Sequence, residues 1–239
     1  MHDEVFHFKQ FDIHQGHAPM KVGTDSDLLG ALCAGGRRIL DIGTGTGVLA
    51  LMLAQRFPEA AVTAIDIDAG AVADARRNFA ESKWHDRLSV QQASLQDYLA
   101  AHPRAAFDCV VCNPPYFDRS LPCPDRSRAL ARHTVGLPFE VLVSAAATLL
   151  LPGGRFSVCL PPEVLEKFLA LSRQAGLALS RRHNILTVPG KAAKRHIVVL
   201  RKGGTEQAVE ETHCMRNSDR TRSEWYRRLM EDFLICGDL

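Results

Sequence analysis

The sequence predicts an α/β protein with a mainly parallel sheet and helices on both of its faces. Three observations carry this. Short apolar runs alternate with segments of helical period along most of the chain. The first run ends in a glycine-rich turn, Gly43-Thr44-Gly45-Thr46-Gly47. The fourth ends at Asn113-Pro114-Pro115-Tyr116, where two prolines forbid the strand to continue.

Taken in order, Arg38–Ile42 is a buried strand, and Val48–Phe57 follows it as a helix. Ala61–Ile67 is a second strand before the alanine-rich helix Ala69–Glu81. Leu88–Gln92 is a third, weaker strand, with a helix around Leu95–Ala101. Phe107–Cys112 is the fourth. Pro138–Leu150 is helical and stops at Pro152-Gly153-Gly154; Arg155–Leu160 is the fifth strand. Glu163–Ala175 is a helix closed by Gly176, and Leu177–Ile185 and His196–Arg201 complete the strands. The stretch from Gly203 to about Ser223 is polar and is expected to be mobile, ahead of a last amphipathic helix over Glu224–Leu234. The Arg-, Pro- and Asp-rich connection Phe117–Leu137 is longer than an ordinary α/β turn, and such loops are often functional. The expected organisation is an N-terminal extension over 1–30 that contributes to a ligand site, a main domain over 31–203, and a C-terminal tail over 204–239 that packs a short helix on the same domain.

A length of 239 residues with 46% hydrophobic and 23% charged side chains places the chain among globular proteins large enough for a substantial core. The start lacks a basic, then apolar, secretory pattern. The longest apolar run, around Ala145–Leu151, falls short of the roughly 18 residues a membrane span needs. A cytoplasmic protein without membrane contact is the expectation; its oligomeric state is left open, a monomer being slightly favoured. Cys109 and Cys112 stand three apart in a strand, on opposite faces, which suits buried thiols and neither a redox pair nor a metal clip. No Cys/His group has zinc spacing, so no metal is expected. Net charge is +2, but residues 1–114 carry 10 basic and 14 acidic side chains, whereas 115–239 carry 19 and 13. The basic half includes Arg126, Arg128, Arg132, Arg181, Arg182, Lys191, Lys194, Arg195, Arg201 and Lys202, either an ordinary solvated surface or a phosphate-binding face.

The turn Asp41-Ile42-Gly43-Thr44-Gly45-Thr46-Gly47 lets a ligand approach the backbone. A dinucleotide fingerprint has glycines at its first, third and sixth positions; here they are first, third and fifth, with Val48 sixth. Asp41 would disfavour a pyrophosphate but suits an ammonium group. Both features favour S-adenosylmethionine over NAD. The second strand ends in Asp66-Ile67-Asp68, where a carboxylate can accept both ribose hydroxyls. Asp66 comes first and is preferred for that role, whereas Asp68 is better placed to cap the next helix.

Asn113-Pro114-Pro115-Tyr116 leaves a set of acceptors at a strand end: the Asn113 side-chain oxygen and the Pro114 carbonyl. Two rigidly held acceptors can take both hydrogens of an amino group and free its lone pair for a methyl carbon. Tyr116 offers a flat face to a base. A proton leaves only after the nitrogen has been methylated, so no prior general base is needed and catalysis is chiefly positioning.

These residues resemble the amino-methylating class I methyltransferases, whose motif is (Asn/Asp/Ser)-Pro-Pro-(Tyr/Phe/Trp). The likeness extends over nearly the whole chain. Phe8-Lys9-Gln10-Phe11, Met20-Lys21-Val22-Gly23-Thr24-Asp25, Asn113-Pro114-Pro115-Tyr116-Phe117 and Ala131-Arg132-His133 are similar to the bacterial tRNA1(Val) adenine-N6 methyltransferases. The resemblance implies a Rossmann-like sheet of seven strands with the last antiparallel, S-adenosylmethionine as donor, and the adenosine 3′ of a tRNA anticodon as acceptor. It places Lys21, Thr24 and Asp25 near the cofactor's methionine end, with Asp41, Gly43, Gly45 and Gly47 beneath it. It assigns Asp66 and Ile67 to the ribose side, Ser94 and Leu95 to the adenine side, and Asn113 to the junction of cofactor and substrate. The target adenine would be held by Asn113, Pro114, Pro115 and Tyr116, and the RNA by Tyr116, Phe117, Arg126, Arg128, Arg132 and His133. The family usually has an acid where Ser94 stands, and a hydroxyl accepts more weakly.

Two rival substrate classes share the tetrapeptide. A glutamine N5-methyltransferase acting on a protein usually has a long helical N-terminal domain, for which the thirty residues here are too few. The motifs near the start argue against ribosomal-RNA guanine-N2 and DNA adenine-N6 enzymes. A non-catalytic binding module would have lost the glycine turn or the tetrapeptide, and both are intact.

Overall fold

The computed structural model describes residues 4–114, 137–204 and 208–235. Strands β1 (Val5–His7) and β2 (Asp12–His14) form an antiparallel hairpin, followed by α1 (Thr24–Leu32). The first unit of the main fold is then β3 (Arg38–Ile42), α2 (Val48–Arg56), β4 (Ala61–Asp66), α3 (Ala69–Glu81) and β5 (Leu88–Gln92). After α4 (Leu95–Ala101) and β6 (Phe107–Cys112) the chain continues through α5 (Phe139–Leu149), β7 (Leu150–Leu160) and α6 (Pro162–Gln174). It ends with β8 (Leu177–Leu186), β9 (Arg195–Lys202), β10 (Val209–Cys214) and α7 (Glu224–Met230).

Among the described residues, β3 to β10 make one eight-stranded sheet in the order β10-β8-β9-β7-β6-β3-β4-β5. All neighbours are parallel except β9, which runs antiparallel to both β7 and β8. The α/β class is as the sequence predicts, and β10 extends the expected seven strands. The expected mobile stretch after Gly203 therefore contains a strand, paired from Val209 with Arg181 to Cys214 with Leu186. Its sequence, Val-Glu-Glu-Thr-His-Cys, shows no apolar alternation because it is an edge. Charged residues are a common way of blunting a sheet edge, and here Glu210 and Glu211 pair with Arg182 and Arg181 on β8.

Two apolar layers flank the sheet. One gathers α1, α2 and the Phe79 side of α3 with the N-terminal hairpin and α7; the other gathers α4, α5 and α6. Cys109 lies in the first layer and Cys112 in the second, both free and buried, as strand alternation requires. Phe8 and Phe11 stack at 4.5 Å between ring centres, and Phe11 meets Trp84 edge-on at 5.8 Å. Phe8 also bridges to Leu234, so chain start and chain end close on each other over this face. Each buried aromatic of this kind contributes about 1.5–3 kcal/mol. No helix among the described residues is long and apolar enough to cross a membrane.

Candidate active site

Chain order reverses beside β3, with β4 and β5 on one side and β6 and β7 on the other. In open α/β sheets such a switch point opens a crevice at the carboxyl ends of the strands. Register puts the motifs there together. Ile42 pairs with Cys112 and with Ile65, and Asp66 pairs with Gln92. Gly43, Asn113, Asp66 and Ser94 thus leave their strands along one rim. A separate cleft of about 550 Å³, lined by Gly35, Arg37, Pro58 and Gly153, sits at the opposite, amino-terminal end of these strands.

The glycine turn is held by Gly43 N and Thr44 N donating to Ile65 O at 2.9 and 3.1 Å. Gly43 and Gly45 have φ of 70° and 57°, and a Cβ built on either would meet no atom within 4 Å. Their outer side is open to a ligand. Gly47 differs: at φ 84° a Cβ there would lie 2.5 Å from the Phe79 ring. Its side-chain direction is taken up by Phe79 and Ala75 of α3, so packing alone requires a glycine there.

Asp41 is fully buried under the turn, with Oδ2 accepting from the Thr44 hydroxyl at 2.6 Å and Oδ1 without a partner. Burial pushes its carboxyl up to about 7; the Thr44 bond and the Ala50 backbone N–H oppose this, and the nearby Asp66 adds to it. Asp66 receives Gly45 N at 2.8 Å and Asp68 N at 2.9 Å, so it fixes the turn as well as standing where a diol would bind. Asp68 accepts from Ala71 N and caps α3. Between them Ile67 is 56% exposed, an apolar face unusual at a strand end and suited to a sugar or flat base. Ser94 caps α4 by accepting from Asp97 N at 3.0 Å, and its hydroxyl donates to the Asp97 carboxylate at 2.6 Å. Leu95 is buried in the core beneath α4, so its side chain does not reach the rim. Any contact it makes at the rim is through its backbone.

Lys21 bonds the Gln15 carbonyl and lies 3.4 Å from Glu4. Thr24 begins α1, and Asp25 in its first turn forms an ion pair with Arg195, its carboxylate 2.7 Å from Nε. Because β9 is antiparallel, Arg195 at its start stands on the same rim as Asn113, and it brings Asp25 there. Asn113 is half-buried and Pro114 buried. Pro115, Tyr116, Phe117, Arg126, Arg128, Arg132 and His133 lie outside the described residues.

Two positioning residues escaped the sequence reading. Asn78 of α3 accepts from His14 N and donates to the carbonyls of His14 and Thr46, tying the glycine turn to the N-terminal segment. Asp74, one helical turn earlier, accepts from His17 N and Ala18 N at 2.8 Å and from His17 Nδ1 at 2.7 Å. Burial acts to raise the Asp74 carboxyl, but these donors outweigh it and hold the group below its ordinary value. Nothing in the sequence of Ala69–Glu81 alone separates them from solvent-facing polar residues. A basic rim was also missed in part. Lys191 and Lys194 after β8, and Arg216 and Arg220 after β10, are exposed at the same carboxyl edge. Arg216 N donates to Thr187 O, which joins the two loops. Arg181, Arg182 and Arg195, by contrast, are paired with Glu211, Glu210 and Asp25.

Comparison with known proteins matches residues 20–164 to the methyltransferase small domain. A tRNA1(Val) (adenine(37)-N6)-methyltransferase of Phocaeicola vulgatus is 43% identical, over 98% of this chain and 99% of that one. The protein of the same name from Tolumonas auensis is 40% identical over 96% of each. Among solved structures, a "predicted O-methyltransferase" from Agrobacterium tumefaciens superposes with a TM-score of 0.70 at 22% identity, covering 87% of this chain and 96% of that one. TYW2 of P. horikoshii, in complex with MeSAdo, gives 0.58 at 16%, covering 84% and 71%.

Proposed function

The chain belongs to the methyltransferase small domain family and, within it, to the tRNA1(Val) (adenine(37)-N6)-methyltransferases, and from that premise we propose that it methylates N6 of adenosine 37 in tRNA1(Val) with S-adenosylmethionine as donor. The observation that carries the reading is the shared rim: an open glycine turn, a ribose-side carboxylate and Asn113-Pro114 leave adjacent strands side by side.

The residues present fit the donor. The orphaned Asp41 Oδ1 favours a nearby positive charge, the sides of Gly43 and Gly45 are clear, and Asp66 and Ile67 offer acceptors and an apolar face. When bound, the donor supplies a methyl group on a sulfonium centre. The chain's own part is to hold the acceptor amine. Asn113 Oδ1 and the Pro114 carbonyl each accept one N–H, which aims the nitrogen lone pair along the line of attack. The adenine must leave its stack to reach them, which costs less in an anticodon loop than in a duplex. Lys191, Lys194, Arg216 and Arg220 on the same edge support an RNA backbone as partner. The reading takes the chain as a monomer working on tRNA in the cytoplasm.

Asn113→Ala tests the assignment. Its methyl-transfer rate is expected to fall about 100- to 1,000-fold, the usual cost of a lost preorganised hydrogen bond at a transition state. Donor binding by calorimetry should be largely kept. Retained activity with lost donor binding would contradict the role.

A further inference from the structure

The sheet's outer edge brings together three side chains that stand far apart in sequence. β8 and β10 run parallel with Glu211 opposite His183 and His213 opposite Ile185. Alternation puts Glu211 and His213 on one face, and register brings His183 to the same face. His183 Nδ1 lies 3.0 Å from Glu211 Oε2 and 3.4 Å from His213 Nε2. His213 Nε2 lies 3.8 Å from the same carboxylate oxygen. One donor atom from each thus converges within 4.8 Å of the others, the one such group among the described residues.

Those separations fit a metal centre. A tetrahedral site with bonds of about 2.0–2.1 Å has neighbouring donors about 3.3–3.4 Å apart. We propose that His183, Glu211 and His213 form a binding site for a borderline divalent transition ion of the zinc class, with a fourth position left to solvent. Two imidazoles and one carboxylate suit zinc, cobalt or nickel and not the oxygen-loving calcium or magnesium. The site is partly preorganised. His183 is 4% exposed, and the His213 ring stacks on Trp225 of α7 at 4.2 Å with the planes 4° apart. The group that opposes a cation is Arg181, whose Nη1 lies 3.5 Å from Glu211 Oε2. Its side chain is about half exposed, at 48%, and free to turn toward solvent when the carboxylate takes a metal.

The ion would be structural. β8 lies three strands from β6 in the sheet order, about 14 Å at the usual strand spacing, so the site is remote from Asn113. It would fasten β10, the outermost strand, to β8 and hold the Arg216–Arg220 turn and α7 that follow. The sequence expectation of no metal rested on spacing along the chain, which does not register partners brought together by parallel strand pairing.

The test uses the full chain, stripped with a chelator and titrated with Co2+. One equivalent should bind, give the visible absorption of tetrahedral cobalt and raise the melting temperature. His213→Gln and Glu211→Gln, checked for folding by circular dichroism and by donor binding, should each weaken binding by more than about 100-fold. Methyl donor affinity should be unchanged in both. Absence of binding at micromolar Co2+, or binding that survives His213→Gln with the charge-transfer bands of thiolate ligation, would overturn the proposal.

Discussion

Asp41 holds the Thr44 hydroxyl with one oxygen and leaves the other without a partner in the interior. Its carboxyl ionises near 3.8 in the unfolded chain and near 7 in the folded protein. Between those values the unfolded state releases a proton that the folded state keeps, so this group's contribution to stability falls as pH rises from about 4 to about 7, and is constant above. Asn keeps the acceptor for Thr44 and cannot ionise. Asp41→Asn should therefore gain stability relative to the parent across that window, measured by denaturant titration at several pH values without donor; a pH-independent difference would contradict the assignment. Asp27, also raised to about 7, by its burial and then by Asp25, adds the same slope to both proteins and cancels in the comparison. Asp66 carries a different expectation. Hydrogen bonds to a charged group are worth about 1.5–3 kcal/mol, so Asp66→Ala should weaken donor binding roughly 10- to 100-fold by calorimetry. Unchanged affinity would move the ribose role to Asp68. Asp41, Asp66 and Asn113 were legible in the sequence because each stands where an apolar strand breaks off. Asp74 and Asn78 were not, since a polar residue in a helix looks like solvent-facing surface until the segment that covers it is known.

The three glycines of the turn separate at the scale of the element. Gly47→Ala places a methyl against Phe79 at a left-handed position and should cost about 2–4 kcal/mol of stability, from backbone strain and overpacking together. Gly43→Ala meets only open space and should cost about 1–2 kcal/mol, while losing donor affinity. Equal stability losses in the two, by thermal unfolding without donor, would contradict this division. Strands β3, β4 and β6 were predictable because a parallel strand covered on both faces is a nearly continuous apolar run. The β1–β2 hairpin and β10 lacked that signal. The hairpin strands are three residues each, and β10 is a polar edge whose pairing with β8 depends on contacts remote in sequence. Phe8-Lys9-Gln10-Phe11 is the turn of that hairpin and does architectural work: it docks the N-terminal segment on Trp84 and Leu234.

Over the whole molecule, the excess of basic charge in the second half resolves into paired and exposed groups. Arg181, Arg182 and Arg195 meet carboxylates, while Lys191, Lys194, Arg216 and Arg220 line the rim that carries Asn113. If the exposed set holds RNA phosphates, tRNA affinity falls steeply with salt, and changing all four to Gln should flatten the logarithmic slope by up to about 3. An unchanged slope would remove the rim from the interface and leave RNA binding to the connection after Pro114. The central claim, that the shared rim methylates a tRNA adenine, is tested most directly with labelled S-adenosylmethionine and unmodified total tRNA, followed by nucleoside analysis and fragment mapping. The account predicts N6-methyladenosine at position 37 of tRNA1(Val), formed about 100- to 1,000-fold more slowly with Asn113→Ala. Label in protein, or in a guanine, would contradict it.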